Sequence, residues 1–141
     1  MISPAPEPRT LRSFFQKRLA ALVQALQGAH FAALATEDGL LIATHESLEP
    51  NPTDRRGAVM ASLSAVARAA GTELNVDDVQ LIQVDGNAGR LLVLPFVTQQ
   101  DSGPKRRLLF VALDPTGETD IALEVMHRLI HAIAARLAPA G

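Results

Sequence analysis

The chain has no cysteine, no tryptophan and no tyrosine among its 141 residues. The absence of cysteine excludes disulfides, thiolate catalysis and zinc sites built on cysteine. The lack of tryptophan and tyrosine argues against recognition of RNA by base stacking, and a net charge of −2 gives no electrostatic reason to bind nucleic acid. The composition therefore predicts a protein with no nucleic-acid partner.

Long apolar runs are also missing. No stretch approaches the roughly 20 apolar residues that cross a bilayer, and the N-terminus lacks the charged start and apolar run of a signal peptide. We expect a cytoplasmic protein with no membrane insertion, which a cysteine-free chain fits. Three prolines within residues 4–8 predict a flexible tail over 1–9, followed by one domain over 10–138.

The chain does contain a clear succession of helical and strand-like patterns. Their apolar spacing and turn residues predict an α+β fold. Thr10 and Thr53 are expected to cap the first two helices, and the polar residues 98–106, with Ser-Gly-Pro at their centre, predict a mobile loop. In chain order the patterns predict a helix over 11–26, a hairpin over 32–44, a helix over 53–74, three strands between 79 and 113, and a helix over 121–137.

The second helix is unusual because only Arg68 in its middle is charged. One face is suited to packing on a sheet, and a second stripe is made of alanine. We expect this helix to be buried on more than one side, with a second helix close to it; alternatively, alanine is simply a good helix former and the stripe is exposed. The sheet-packing face comprises Val59, Leu63, Val66, Ala70 and Leu74, and the alanine stripe Ala58, Ala61, Ala65 and Ala69.

Catalytic motifs are not found. There is no phosphate-binding loop, dinucleotide fingerprint or nucleophile elbow. His127 and His131 are four residues apart near Glu124 and could bind a metal, but an exposed helix face gives the same pattern. The basic run 105–107 could meet an acidic partner, although a solvated loop end is the default interpretation. We expect no enzyme activity, no metal and no cofactor.

The hairpin Phe31-Ala-Ala-Leu-Ala-Thr-Glu-Asp-Gly-Leu-Leu-Ile-Ala resembles the opening of roadblock / dynein light chain domains. The alanine-rich central helix, Leu91-Leu-Val-Leu-Pro and Leu109-Phe-Val-Ala-Leu-Asp-Pro agree with that family, so the resemblance covers residues 11–137. It implies a five-stranded antiparallel sheet with the central helix on one face and the N- and C-terminal helices on the other. The implied order is α-ββ-α-βββ-α.

The resemblance also implies a function. Members form homodimers through the central helix and the third strand, and bind Ras-like small GTPases; bacterial members resemble regulators of a polarity GTPase. The alternative is a purely structural scaffold or light-chain subunit that binds another protein without nucleotide dependence. Dimer contacts are expected at Ala58, Met60, Ala61, Ser64, Ala65, Arg68, Ala69, Val79, Leu81 and Gln83. GTPase contacts are expected at Arg55, Arg56, Ser64 and Arg68.

Overall fold

The structure is a computed structural model that describes residues 8–47 and 50–139. Its element order confirms the predicted α+β class. Residues 1–7 of the expected tail lie outside the described residues, and the first helix begins at Pro8, inside the segment assigned to that tail. The elements are α1 (Pro8–Ala25), β1 (Ala29–Thr36), β2 (Leu41–Thr44), α2 (Arg56–Glu73), β3 (Ile82–Gly86), β4 (Gly89–Gln100), β5 (Gly103–Leu113) and α3 (Thr119–Leu137).

The five strands form one antiparallel sheet in the order β2-β1-β5-β4-β3. The central strands are apolar on both faces because helices cover both sides of the sheet. On β5, Leu109 and Val111 face α1 and α3, whereas Leu108 and Phe110 face α2. The protein therefore has two cores, and β2 and β3 are the edge strands.

The larger core lies between the sheet and the pair α1 and α3. Both helices bury a stripe at the helical period, which is the pattern that the sequence predicts. Pro8 opens α1, where its missing N–H and fixed φ are tolerated. Thr10 therefore lies within the helix, and the prediction that it caps the helix is wrong. The buried stripes comprise Phe15, Leu19 and Leu22 of α1, with Leu26 directly after its end, and Ala122, Met126, Leu129 and Ile133 of α3.

Helix α2 turns a different face to the sheet from the predicted one. Leu63 does pack on the second core, but the other four predicted residues are exposed: Ala70, and Val59, Val66 and Leu74 by 55%, 69% and 73% of their surface. The residues that α2 buries are small and seven positions apart: Gly57, Ser64 and Gly71.

The small residues are buried because the backbone of α2 lies very close to the rest of the protomer. A Cβ atom on Gly57 would lie 2.5 Å from the carbonyl oxygen of Gly39, in the β1–β2 turn. A Cβ atom on Gly71 would lie 2.8 Å from the carbonyl oxygen of Asp77. Both separations are below van der Waals contact, so larger residues at these positions would push α2 away from the protomer.

The chain reverses direction directly after α2. Asn75 adopts a left-handed conformation with φ 56°, and the Val76 N–H donates to the carbonyl oxygen of Gly71 over 2.8 Å. This is a Schellman-type helix end in which asparagine replaces the usual glycine. Residues 76–81 then return along α2 before β3 begins at Ile82. Val79 and Leu81 therefore precede the strand in which they were predicted.

Residues 98–106 are not a mobile loop. They form the far end of the long β4–β5 hairpin, in which Gln100 is paired with Gly103. Thr98 is fully buried, and its hydroxyl donates to the carbonyl oxygen of Lys105 over 3.4 Å. The polar composition suggested a loop, but these residues pair with one another across the hairpin. That prediction is wrong.

Candidate functional site

The outward face of α2 is mostly apolar, and no residue that the structure describes covers it. Val59 and Val66, two helical turns apart, lie among exposed alanines, with no charged side chain between them. Exposed apolar side chains of the 76–81 segment and of β3 lie on the same side of the molecule and extend this apolar surface. We call this set the α2 surface: Ala58, Val59, Ala65, Val66, Ala69, Leu74, Val76, Leu81 and Val84.

An open cleft lies between the C-terminal half of α2 and the returning segment. It has a volume of about 630 Å³. Gly71 forms part of its wall, and Leu74 and Leu81 are among the α2-surface residues that line it. Its remaining lining residues are Ala67, Ala70, Val76, Asp78, Val79 and Gln80. The α2 surface is therefore recessed at this end and could receive a side chain from a partner.

Polar contacts fix the N-terminal end of α2. The Arg56 guanidinium lies 2.7 Å from the Asp54 carboxylate and 3.7 Å from that of Glu46, and its Cζ is 3.9 Å from the centre of the Phe31 ring. Hydrogen bonds from Arg56 lower the pKa of Asp54 below its usual value, and Asp54 raises the pKa of Arg56. Arg56 is therefore held on its own protomer.

The other two arginines expected at a partner contact differ from each other. Arg68 Nη1 lies 3.4 Å from Glu37 Oε2, so this side chain ties α2 to the β1–β2 turn. Arg55 is exposed and forms no ion pair with any residue that the structure describes. Of the three arginines, Arg55 is the most available to a partner.

Asp54→Asn is expected to lower stability at neutral pH by up to about 1 kcal/mol, the typical value of an exposed ion pair, because the amide keeps the hydrogen-bond acceptor but loses the charge that pairs with Arg56. Asp54 Oδ1 accepts the Arg56 N–H over 3.0 Å, whereas Thr53, the predicted cap, makes no such bond to α2. Since the pKa of Asp54 is lowered in the folded state, this contribution is complete above the unfolded pKa and disappears as pH falls through the folded one.

Melting temperatures of the parent and Asp54→Asn proteins at pH 7 and pH 3 would check this. The difference between the two proteins should be largest at pH 7 and shrink at pH 3. A difference that is equal at both pH values would show that the charge of Asp54 does not contribute.

The structure exposes some of the residues expected at a dimer contact and buries one. Ala58, Ala65 and Ala69 point outward, whereas Met60 and Ala61 are half-buried. Ser64 is only 4% exposed and faces the sheet. Ser64 is therefore not accessible for the expected dimer and partner contacts. This position needs a small residue because α2 lies so close to the sheet.

The residues near β3 that were expected at the dimer contact differ in exposure and in the face of the sheet on which they lie. Leu81 is exposed and Val79 is half-buried beside the cleft. Gln83 is exposed, but it is paired with Leu92, which faces α1 and α3, so it lies on the opposite face of the sheet from α2.

Sequence reasoning missed the exposed apolar residues of α2. Val59, Val66 and Leu74 were assigned to the core because apolar residues at helical spacing normally face it. The spacing Gly57–Ser64–Gly71 was the available signal, since a stripe of small residues permits the closest approach of a helix to a sheet.

The histidines and acidic residues of the described chain do not converge on one point. Among residues 8–47 and 50–139 there is no group of three or more histidine or acidic side chains that could hold a metal ion. His127 and His131 are both exposed on α3. None of the helices in the same residues is long and apolar enough to span a membrane.

Comparisons with solved structures support the fold. The Roadblock/LC7 domain from Streptomyces avermitilis superposes with a TM-score of 0.72 at 22% identity, over 86% of this chain and 96% of that one. An MglB with a tetrameric arrangement gives 0.71 at 21% identity, over 96% and 94%. The gliding protein MglB from Thermus thermophilus gives 0.70 at 20% identity, over 96% and 95%.

The sequence matches the model of one protein family but no curated protein. The model of the Roadblock/LC7 domain matches residues 15–96, which run from α1 into β4 and include the whole of α2. This is more than half of the chain, and the element order agrees with it. The chain belongs to the Roadblock/LC7 domain family.

Proposed function

We propose that this chain is a non-catalytic, cytoplasmic homodimeric module that binds a Ras-like small GTPase and regulates or recruits it. The observation that carries the proposal is the α2 surface, which is apolar, contiguous with an edge strand and not covered by any part of the chain between residues 8 and 47 or 50 and 139. Membership in the Roadblock/LC7 family and the fold shared with MglB support it.

A second copy of the chain is the proposed cover for the α2 surface. Exposed apolar area of this kind marks an interaction site, and the small side chains of Ala58, Ala65 and Ala69 let another helix approach closely. In a two-fold dimer the same patch serves both copies. Two copies of α2 would pack side by side through Val59 and Val66.

The position of β3 fits the same arrangement. β3 is an edge strand, and no strand in the described part of the chain pairs with its outer backbone groups. An exposed edge readily accepts another strand. Antiparallel pairing of β3 with its copy would join the two sheets and place the second α2 over Val84, which is 44% exposed on the α2 side of the sheet.

The paired α2 helices would present Arg55 of both copies to the GTPase. Arg55 is the unpaired cation of this end of α2, whereas Arg56 and Arg68 are held by carboxylates of their own protomer. We assign Arg55 to direct contact, and Arg56 and Arg68 to fixing the surface around it. Because the proposed module offers no catalytic group, it would act by shaping the partner.

Affinity capture from a lysate of the source organism, with GDP or with a non-hydrolysable GTP analogue, tests the proposal. We expect mass spectrometry to identify a small GTPase recovered mainly in one nucleotide state. Arg55→Glu should reduce that recovery about tenfold, the effect of reversing a charge at a contact. Lys105→Glu makes the same charge change at the β4–β5 hairpin and should have no effect.

Other outcomes would contradict the proposal. Recovery of other proteins, equal with both nucleotides, would favour the scaffold function. Equal losses for Arg55→Glu and Lys105→Glu would show that net charge, and not the α2 surface, governs binding.

A further inference from the structure

The charges of the chain are unevenly distributed between its two helical layers. Helix α1 contains four cations and no carboxylate, and α3 contains two cations and two carboxylates. Six cations less two carboxylates leave these helices with a net charge of +4 in a chain whose total is −2, so the remainder carries −6. We call α1 and α3 together the basic layer. It lies on the opposite face of the sheet from α2.

Most cations of the basic layer have no carboxylate partner. Arg128 pairs with Glu124 over 3.0 Å. Lys17, Arg18 and Arg136 form no ion pair with any residue that the structure describes. Like charges that remain unpaired repel one another and disfavour the folded state, and a ligand that brings carboxylates would relieve that repulsion.

Two of these unpaired cations converge on one aromatic ring. The guanidinium carbons of Arg18 and Arg136 lie 5.4 Å and 5.3 Å from the centre of the Phe14 ring. The ring is shared by a cation of α1 and a cation of α3, so it holds two positive charges at the seam between the helices. This positions positive charge where the two helices meet.

An apolar groove runs along the same seam. Its volume is about 270 Å³, which suits individual apolar side chains of a ligand. Arg18 and Arg128 stand at its sides, and several small residues keep it open. We call it the α1–α3 groove, and its apolar lining residues are Ala21, Leu22, Ala25, Val125, Leu129 and Ala132.

We propose that the α1–α3 groove is a second docking site, which binds an acidic amphipathic helix of another protein. Apolar side chains on one face of that helix would enter the groove, and carboxylates beside that face would meet the unpaired Arg18. The charge complementarity comes from the unpaired cations of the basic layer.

A membrane surface fits this layer less well. Binding in the interface of a bilayer requires large apolar side chains that protrude from a helix. Among the described residues of α1 and α3, Ile121 is the only large apolar side chain that is strongly exposed. The apolar atoms of the groove are recessed, which suits a protein ligand that brings its own side chains.

The site is independent of the proposed dimer and GTPase contacts. Those contacts use the α2 surface and the edge of β3, on the other side of the sheet. A dimer could therefore bind one acidic helix on each protomer, so that the module would link two kinds of partner.

A designed helical peptide tests the proposal. The probe is a fluorescent amphipathic peptide with leucines along one face and glutamates on both flanks; its control has lysine in place of every glutamate. We expect the acidic peptide to bind the full chain at least about tenfold more tightly than the basic one, with affinity falling as salt rises. Equal binding of the two peptides, or none, would overturn the proposal.

Three variants locate the binding. Arg18→Glu should weaken the acidic peptide about tenfold by reversing a groove charge. Ala21→Phe should weaken it comparably by filling the groove without a change of charge, while Lys105→Glu should leave it unchanged. Equal loss with Lys105→Glu, or no loss with Ala21→Phe, would overturn the proposal because binding would then not depend on the groove.

Other ligand classes are tested in parallel. Vesicles containing one quarter phosphatidylglycerol and a labelled DNA duplex are offered to the same variants. If either binds more tightly than the acidic peptide and loses binding with Arg18→Glu, the basic layer serves a membrane or a nucleic acid, and the proposal of a protein ligand is wrong.

Discussion

Val66→Asp is expected to convert the proposed homodimer to monomers. Val66 is 69% exposed at the centre of the outward face of α2. In the dimer it would be buried against its copy, and an unpaired carboxylate there would be removed from water twice, once in each protomer. The cost should be several kcal/mol, equivalent to at least about a hundredfold weaker association. Sedimentation equilibrium measures the mass directly.

Leu81→Asp extends this test to the segment before β3. Leu81 is 37% exposed beside the cleft, and the same substitution there should also weaken association. Ile121→Asp is the matched control, since Ile121 is 50% exposed on α3, on the other side of the sheet. Its first-turn position also favours a carboxylate. If all three variants keep the mass of the parent protein, the α2 surface is not a dimer interface.

The sequence predicts the elements of this fold well because local physics determines them. Alternating or periodic apolar residues require burial, and turn residues mark where the chain reverses. The α1 stripe of Phe15, Leu19 and Leu22 is buried as its spacing predicts. The Asp38-Gly39 turn also lies where the hairpin needs it, since Gly39 has φ +101°.

The orientation of α2 could not be predicted in the same way. The helix has two candidate faces, one lined by larger apolar residues and one by Gly57, Ser64 and Gly71. The structure buries the small face because the helix lies within a few ångströms of Gly39 and Asp77. That proximity depends on how α2 packs against segments outside the helix. Local spacing alone favoured the larger residues.

The candidate site was likewise predictable only in part. The sequence and its family resemblance located it on α2 and at the start of β3. They could not show that Arg68 is paired with Glu37, or that Arg56 lies over Phe31, because these contacts join residues more than 20 positions apart. The difference between Arg55 and the other two arginines emerges only from the folded chain.

Pairing across strands explains the misassigned segment 98–106 as well. Threonine, glutamine, serine and lysine are common in loops, and the Ser-Gly-Pro sequence strengthens that interpretation. In the structure, the same residues pair with one another across the hairpin, and the neighbouring Arg107 side chain donates to Gln100 Oε1 over 2.8 Å. Polar residues can extend a hairpin beyond the covered part of a sheet, because solvent satisfies their outer faces.

Gly28→Ala is expected to be among the most destabilising single substitutions. Gly28 connects α1 to β1 with φ +82°, a left-handed conformation that costs alanine about 1 kcal/mol. Its Cβ atom would also lie 2.6 Å from Asp114 Oδ1 and 2.6 Å from the backbone nitrogen of Gly117. Relieving that overlap would separate the α1–β1 turn from the β5–α3 turn, at a further cost of about 1–3 kcal/mol.

Gly103→Ala distinguishes the cost of the left-handed conformation from the cost of the steric overlap. Gly103 also has a left-handed φ, of +105°, but no atom lies within 4 Å of the position of its Cβ. The variant should therefore show only the conformational cost, partly offset by the smaller entropy of its unfolded chain. Urea unfolding at one fixed protein concentration should show Gly28→Ala to be less stable than Gly103→Ala by about 1–3 kcal/mol. Equal losses would mean that the two turns can move apart freely, and the junction between α1, β5 and α3 would then not be rigid.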